Sequence, residues 1–418
     1  MKRWSLPFML VAAHALYAAQ APNSEPRSVR EILGKVQPLA HTQAQVRVGY
    51  IDWQAKGATA GPDNSAFAVG GHIHIDSKRW HGLMVGSELY VVADPGFDSD
   101  DPAKVNPDFF DADKNGFAAL SQAFIDGKWD QTEIKIGRQM LDTPHADSDD
   151  IRMMPNYFLA YMLTNRSIEG LTLRLGQIDQ MGGWENGIDA SRFVPVEKAL
   201  GAPRKTDGIY VASAAYEGGD NLSLQAWYYD FTDVADVIYL EAGYNYAASF
   251  ADLTFGLQYD GARDRGDKLL GDIQSNTWGA SLEAGFDNGV TLIAAYNEET
   301  GDSGAFGSLG GGPFFTSMED QTIDAIGAEG YALMGAVGYD FGALGLDGLN
   351  AGIAYGHFEA DQKSDYETDE TDFALSYALQ DRISIDALYA VVDDKTAANE
   401  DSDLFRITAN YNFATGAL

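Results

Sequence analysis

Two absences narrow what this chain of 418 residues can be: it has no cysteine, and it has no second long hydrophobic run. Without cysteine it forms no disulfide and offers neither a thiol nucleophile nor a thiolate metal ligand. Beyond the N-terminal segment, no stretch approaches the ~20 consecutive apolar residues that a membrane-spanning helix needs. Disulfide-stapled folds, thiol enzymes and bundles of membrane helices are therefore excluded.

Basic residues are scarce as well. The chain has 28 Lys and Arg against 62 Asp and Glu, a formal net charge of −34. Because Lys and Arg supply most of the affinity for nucleic-acid phosphates, we expect no nucleic-acid partner. The summed negative field favours cations instead.

The N-terminus has the pattern of a secretory signal. Lys2 and Arg3 precede an apolar stretch that runs to Ala19, and small residues suited to cleavage follow as far as Ala21. An uncleaved anchor is the weaker alternative, because the apolar stretch is short for a span. Export without a spanning helix leaves a periplasmic protein, a secreted protein or an outer-membrane barrel.

Near the C-terminus the sequence alternates between apolar and polar residues. The apolar positions are Phe405, Ile407, Ala409, Tyr411 and Phe413. Successive side chains of a strand point to opposite sides, so this is a ribbon with one apolar and one polar face. About eighteen such segments recur, near 44–53, 66–76, 82–92, 118–129, 132–140, 157–164, 171–178, 208–217, 222–230, 237–246, 252–260, 276–286, 289–297, 330–341, 349–358, 372–379, 383–391 and 404–413.

The connections between these segments are alternately short and long. The even-numbered ones are tight turns, such as 130–131, and most odd-numbered ones are long; 231–236 is the exception. A soluble sandwich has no reason to sort its loops in this way. The sequence therefore predicts an all-β fold, a transmembrane antiparallel β-barrel of about eighteen strands. Its short turns would be periplasmic and its long loops extracellular, in the outer membrane of a Gram-negative bacterium.

The predicted organisation has four parts: a signal peptide over 1–21, a periplasmic leader over 22–43, the barrel over 44–413 and a C-terminal tail over 414–418. Apolar residues of the leader lie at helical spacing, at Val29, Ile32, Leu33 and Val36. A short helix and a disordered leader fit this segment equally well.

One stretch, Ile134 to Pro155, carries a more specific signal than the alternation of apolar and polar residues. Its distinctive parts are Gly137-Arg138-Gln139, Thr143-Pro144, Asp149-Asp150 and Arg152. They resemble the OprD-type outer-membrane porins, as do the segments 165–176 and 339–349. The resemblance implies an eighteen-stranded barrel with a narrow, loop-constricted pore for selective uptake of small hydrophilic nutrients.

The connection 141–156 is the candidate constriction. A pore needs polar groups that replace part of a solute's hydration and still release it. If this loop folds inward, it presents such groups at Asp147, Asp149, Asp150 and Arg152. The alternative is an ordinary acidic surface loop.

Four basic residues lie between apolar neighbours on predicted strands: Arg47, Lys135, Arg174 and Arg406. A charge on the lipid face costs ~2–4 kcal/mol at the midplane, so these side chains should point into the lumen. In OprD-type porins a row of basic lumen residues is thought to guide a solute's carboxylate, a role that is a hypothesis for these four. The alternative is that they neutralise inward acidic groups such as Glu88, Asp126 and Glu283.

Motifs for metals and catalysis are weak. The stretch Asp111 to Gly116 matches the opening of an EF-hand, but position 12 is Gln122 where calcium needs a bidentate Glu. His72 and His74 share a strand face without an apparent third ligand. There is no HExxH, P-loop or GxSxG motif. The sequence therefore predicts no catalytic residue, no cofactor, no metal site and no enzyme activity.

Together these patterns predict an OprD-like porin for passive, moderately selective diffusion of amino acids, small carboxylates or ions. Amino acids are favoured because acidic residues assigned to the external loops, Glu299 and Glu370 among them, attract cations while the basic row attracts carboxylates. The alternative is a barrel that acts as a surface binding or adhesion platform. The expected partners are outer-membrane lipid and small hydrophilic solutes; whether the chain forms a homo-oligomer is left open.

Overall fold

The structure is a computed structural model that describes residues 39–57, 62–219, 221–361, 364–380, 382–396 and 400–413. The predicted signal peptide, most of the predicted leader and the predicted tail lie outside these ranges. Within them, no helix is both long and apolar enough to cross a membrane.

The described residues form eighteen long strands, numbered here β1 to β18. In chain order they are Leu39–Ala55, Asn64–Ser77, Leu83–Ala93, Phe117–Trp129, Thr132–Gln139, Tyr157–Ile168, Leu171–Gly182, Ile209–Gly218, Leu222–Phe231, Ala235–Ala247, Asp252–Asp264, Gln274–Gly285, Val290–Glu299, Gly330–Asp340, Leu349–Ala360, Glu367–Leu379, Ile383–Asp394 and Ser402–Phe413.

The remaining elements are short and lie in the connections. There is one α-helical turn, Val196–Ala199, and there are four 3₁₀ turns, Pro102–Lys104, Pro107–Phe109, Ile323–Ile326 and Phe341–Leu344, among the described residues. Three further strands of two or three residues are Asp142–Thr143, Ala146–Asp147 and Phe193–Pro195.

The eighteen strands close into a barrel. Each pairs antiparallel with its neighbours in sequence, and β1 pairs with β18, where Val46 lies opposite Tyr411. Closure leaves no unpaired sheet edge, as a sheet in lipid requires. The predicted barrel of about eighteen strands is confirmed. Strand β1 begins at Leu39 rather than at residue 44, because its pairing with β2 continues to Ser77.

The two faces of the barrel follow the sequence alternation. In β13, Leu292 and Tyr296 are exposed on the outside, whereas the residue that follows each of them, Ile293 and Asn297, is buried on the inside. Large apolar side chains form an exposed belt around the other strands as well, with Leu257 of β11 exposed by 63%. Such a belt is unfavourable in water and suited to lipid.

The connections sort by end as predicted. One end carries tight turns, including the two-residue turn at Asp130, whose φ of +51° is the left-handed conformation that such hairpins favour. The other end carries the longest connections, 94–116, 183–208 and 300–329; at this end the connection 232–234 is short.

The prediction that Glu299 and Glu370 belong to external loops is wrong. Glu299 is the last residue of β13 and Glu370 lies within β16; both side chains are buried inside the barrel. Strand β16 begins at Glu367, earlier than predicted, because its backbone pairs with β15 there. Part of the acidic charge assigned to the mouth therefore lines the interior.

Candidate functional site

The connection 140–156, called the inner loop here, contains a small hairpin. Asp142 pairs with Asp147 and Thr143 with Ala146, and the Thr143 hydroxyl donates to the Ala146 carbonyl oxygen at 2.8 Å. Pro144 follows Thr143 at a position where its fixed φ favours a turn.

The tip of the hairpin contacts the opposite wall of the barrel. His145 is fully buried, and its Nε2 lies 2.6 Å from Oδ2 of Asp260 on β11. Its backbone N–H donates to the hydroxyl of Tyr229 on β9 at 3.3 Å. The inner loop leaves β5 and returns to β6, so it crosses the lumen. This geometry excludes the alternative of a surface loop.

The far half of the inner loop is attached to β1. The Arg47 guanidinium donates from Nη1 to Asp150 Oδ1 at 2.6 Å and from Nη2 to Asp150 Oδ2 at 2.8 Å. It also donates to the Arg152 carbonyl oxygen and to Asn410 of β18, both at 2.7 Å. Arg47 points inward as predicted, but its side chain is 4% exposed and holds the loop.

A second segment, residues 313–321 of the connection 300–329, also lies within the barrel. At one end the Gln258 side chain donates to the Pro313 carbonyl oxygen at 2.8 Å. At the other end the Glu370 carboxylate accepts from the Gln321 N–H at 2.7 Å. Buried polar side chains of the wall thus satisfy backbone groups of this inner segment, as burial requires.

Glu319 joins the two loops to the wall. Its Oε1 accepts from Arg152 Nη1 at 3.1 Å, and its Oε2 accepts from Arg406 Nη2 of β18 at 3.0 Å. Arg152 also donates from Nε to Asp108 at 3.0 Å, and its guanidinium lies 4.3 Å from the Trp184 ring centre. Arg152 and Arg406 are therefore buried structural cations.

The other two predicted basic residues lie differently. Lys135 and Arg174 are half-buried over aromatic rings, at 4.0 Å from the Phe124 ring centre and 5.5 Å from that of Trp227. Among the described residues, neither has a carboxylate within ion-pair distance.

The acidic groups that the basic row was suggested to neutralise do not all pair with it. The Glu88 carboxylate accepts from Gln122 Nε2 at 2.6 Å, and Asp126 pairs with Arg79 of the nearby turn. Two cations of the row are neutralised by loop carboxylates instead: Arg47 by Asp150, which was predicted as a constriction residue, and Arg406 by Glu319, which the sequence analysis did not single out.

The predicted constriction residues also differ in whether their side chains are buried or paired. Asp149 is buried and Asp150 is paired with Arg47, whereas Asp147 remains partly exposed opposite Asp142, across the hairpin. Burial, reinforced by the Asp142 charge, raises the pKa of Asp147 to about 7. Burial likewise raises the pKa of Glu185, whose carboxylate accepts from the Gly311 N–H at 3.2 Å.

Several residues of this site were missed by sequence reasoning. Strand parity within the predicted strand 252–260 places Asp260 on the inward face, so a stricter count would have found it, whereas Glu370 lies before the start of its predicted strand. Asp142, Glu185 and Glu319 lie in connections, where no periodicity indicates which side chains point inward.

The two weak metal motifs have different outcomes. Asp111 Oδ1 already accepts from the backbone N–H groups of residues 113 and 115, and Gln122 lies in β4, bonded to Glu88. This arrangement is a polar turn rather than an EF-hand. His74 does face the lumen as predicted, but the structure brings His41 and Asp76 beside it.

Comparisons with known proteins agree with this geometry. A sequence model described as "outer membrane porin, OprD family" matches residues 111–415. A sequence comparison with the curated proteins gives no significant match.

Solved structures with the same fold cover almost the whole barrel. OccK9 (OpdG) of Pseudomonas aeruginosa is 21% identical with a TM-score of 0.79, covering 89% of this chain and 98% of its own. A BenF-like porin of Pseudomonas fluorescens is 18% identical with a TM-score of 0.77, covering 90% and 100%. OpdK of P. aeruginosa, crystallised with vanillate, is 22% identical with a TM-score of 0.74, covering 90% and 98%.

Proposed function

Because the chain belongs to the OprD family of outer-membrane porins, we propose that it admits small hydrophilic solutes by passive, moderately selective diffusion, and that amino acids suit its lumen best. Proteins of this family are channels rather than enzymes. The function follows from what the lumen presents to a passing solute.

One observation carries the choice of amino acids: charges of both signs remain available inside the barrel. Asp142 and Asp147 present carboxylates on the inner-loop hairpin, and Arg174 and Lys135 present cations on the wall. Arg174 lies within electrostatic range of Asp142. A zwitterion can satisfy both sets at once, whereas a simple carboxylate or ammonium ion satisfies one.

The order of these charges along the lumen suits inward passage. Lys135 and Arg174 each lie a few residues after a periplasmic turn, whereas the inner loop follows an extracellular strand end. A solute entering from outside meets the hairpin carboxylates first and the two cations afterwards. Each contact is partly exposed to water, so binding is weak enough for release.

Solute-induced current block in planar bilayers tests this proposal. Alanine, propionate and ethylammonium have similar size and differ in charge. We expect alanine to reduce the open-channel current more than either analogue at equal concentration. Stronger block by propionate would favour a carboxylate channel, and the absence of any conductance would favour the surface-platform alternative.

Reversal potentials in a salt gradient test the two cations separately. R174Q and K135Q should each raise the preference for cations, because each removes a positive charge that faces the lumen. K205Q removes the same charge from an exposed external connection and serves as the matched control. Equal reversal potentials in the wild type and in R174Q would exclude a role for Arg174 in selectivity.

A further inference from the structure

Three metal-ligating side chains meet at the periplasmic end of the lumen: His41, His74 and Asp76. One ligand atom of each lies within 4.8 Å of the others. Among the described residues, no other group of three His, Asp or Glu side chains meets this criterion. We call this group the histidine cluster.

Strand pairing builds the cluster. His41 lies directly opposite Asp76 across the β1–β2 pair, and His74 is two residues from Asp76 on the same face. Both strands have their periplasmic ends here, and the outward Ile73 between His72 and His74 confirms that the histidines face the lumen. The positions are therefore set by strand pairing rather than by a loop, with an irregularity in the register directly before His41.

The distances within the cluster are compatible with a shared metal ion. His74 Nε2 lies 3.0 Å from Asp76 Oδ1, and His41 Nδ1 lies 3.8 Å from Asp76 Oδ2. Asp76 Oδ1 is nevertheless buried without any hydrogen bond. Two ligands bound tetrahedrally at ~2.1 Å are separated by about 3.4 Å, so these distances lie on either side of that value.

A further carboxylate lies behind the cluster. Glu88 Oε1 is 3.9 Å from His74 Nδ1, the nitrogen that faces away from Asp76. The Glu88 carboxylate is itself fixed by Gln122 Nε2 at 2.6 Å and by the Ser121 hydroxyl at 3.1 Å. At 3.9 Å the carboxylate makes no hydrogen bond to the imidazole, but its negative charge favours a cation bound at the cluster.

We propose that His41, His74 and Asp76 bind one divalent transition-metal cation, with Zn²⁺ as the representative ion. Two imidazole nitrogens and one carboxylate oxygen favour such cations over Ca²⁺ and Mg²⁺, which prefer oxygen ligands. The lumen water supplies the fourth ligand. The proposal rests on the β1–β2 geometry and is independent of the proposed solute.

Isothermal titration of tag-free protein in detergent, with zinc chloride as the titrant, tests the site directly. We expect one bound Zn²⁺ per chain and no measurable binding of Ca²⁺. H41A and H74A should each weaken Zn²⁺ binding by about tenfold or more, and E88Q by a smaller factor, because it removes only a nearby negative charge. H72A is the matched control, since His72 is a lumen-facing neighbour outside the cluster, and it should bind as the wild type does.

Either of two outcomes would overturn the proposal: no Zn²⁺ binding by the wild type, or equal loss of binding in H72A and H74A. H74Q, which keeps a polar side chain of similar size, guards against misfolding as the explanation. Each variant is included only if its single-channel conductance shows a formed barrel.

Discussion

Arg47 of β1 and Asp150 of the inner loop, 103 positions apart in sequence, form a bidentate ion pair. Its two nitrogen–oxygen distances are 2.6 and 2.8 Å. The guanidinium is nearly inaccessible, whereas the carboxylate is 27% exposed. The pair therefore fixes the inner loop to the wall without removing its far edge from the lumen water.

Asp150→Asn should loosen the inner loop. The amide cannot neutralise Arg47, and leaving a buried charged donor poorly satisfied costs roughly 1–3 kcal/mol. A penalty of that size raises the population of a detached loop by about 5-fold to 150-fold. Single-channel recordings should show more frequent current fluctuations. Asp100→Asn, in an exposed external loop, should leave the trace unchanged; equal noise in both variants would contradict the role of the pair.

Glu319→Gln should change both the ion selectivity and the stability of the barrel. The change removes the carboxylate shared by Arg152 and Arg406, so the buried guanidinium of Arg406 loses this counter-charge and that of Arg152 keeps only Asp108. We expect lower cation preference in the reversal potential and a lower unfolding temperature in detergent. The neighbouring Asp320→Asn removes an equal charge from an exposed side chain and should change neither quantity by a comparable amount.

The preference for cations should also depend on pH through Asp147. Its pKa is raised to about 7, so its side chain is protonated below that pH and negative above it. Cation preference should therefore rise between about pH 6 and pH 8, where an ordinary aspartate is already fully ionised. Burial also raises the pKa of Glu185 and raises that of Glu319 to about 8, so these carboxyls change charge in the same direction, and the diagnostic is the difference between the wild type and Asp147→Asn. If the wild type and Asp147→Asn show the same pH dependence, the charge of Asp147 does not act on passing ions.

Stability in lipid should report which face a residue occupies. Leu257→Arg puts a charge on the exposed outer face of β11 and should cost about 2–4 kcal/mol of unfolding free energy in bilayers. Thr254→Arg, on the inward face of the same strand, should cost much less, because its side chain faces water. Denaturant titration in vesicles measures both. Equal penalties would contradict the assigned orientation of this strand.

The architecture was largely predictable because its signal is local. Alternation within about ten residues identifies a strand and its faces, as with the exposed Leu292 and the buried Ile293, and needs no knowledge of distant partners. The inward direction of Arg47, Lys135, Arg174 and Arg406 followed from the same rule. Errors arose at strand ends: at β16, backbone pairing with β15 extends beyond the apolar pattern and includes Glu370.

The contacts between side chains inside the barrel were not predictable. They join residues that are far apart in sequence, and many of these residues lie in connections. Nothing near Glu319 indicates that it meets Arg406, 87 positions away. The alternating pattern therefore predicted that Arg47 and Arg406 point inward, but not which residues they contact. Both cations form ion pairs with carboxylates of the internal loops. His41 was missed as a ligand for a similar reason, because only the register of β1 on β2 places it opposite Asp76.

The buried ion pairs that secure both internal loops have a consequence for the width of the bore. Ionic strength weakens attraction between exposed charges over about 8–10 Å, but it screens enclosed pairs far less. The bore should thus keep its dimensions from dilute to concentrated electrolyte, while the acidic rim outside is progressively shielded. Any change in ion preference along such a series then measures the exposed charges of the rim and the lumen, not a change in the width of the bore.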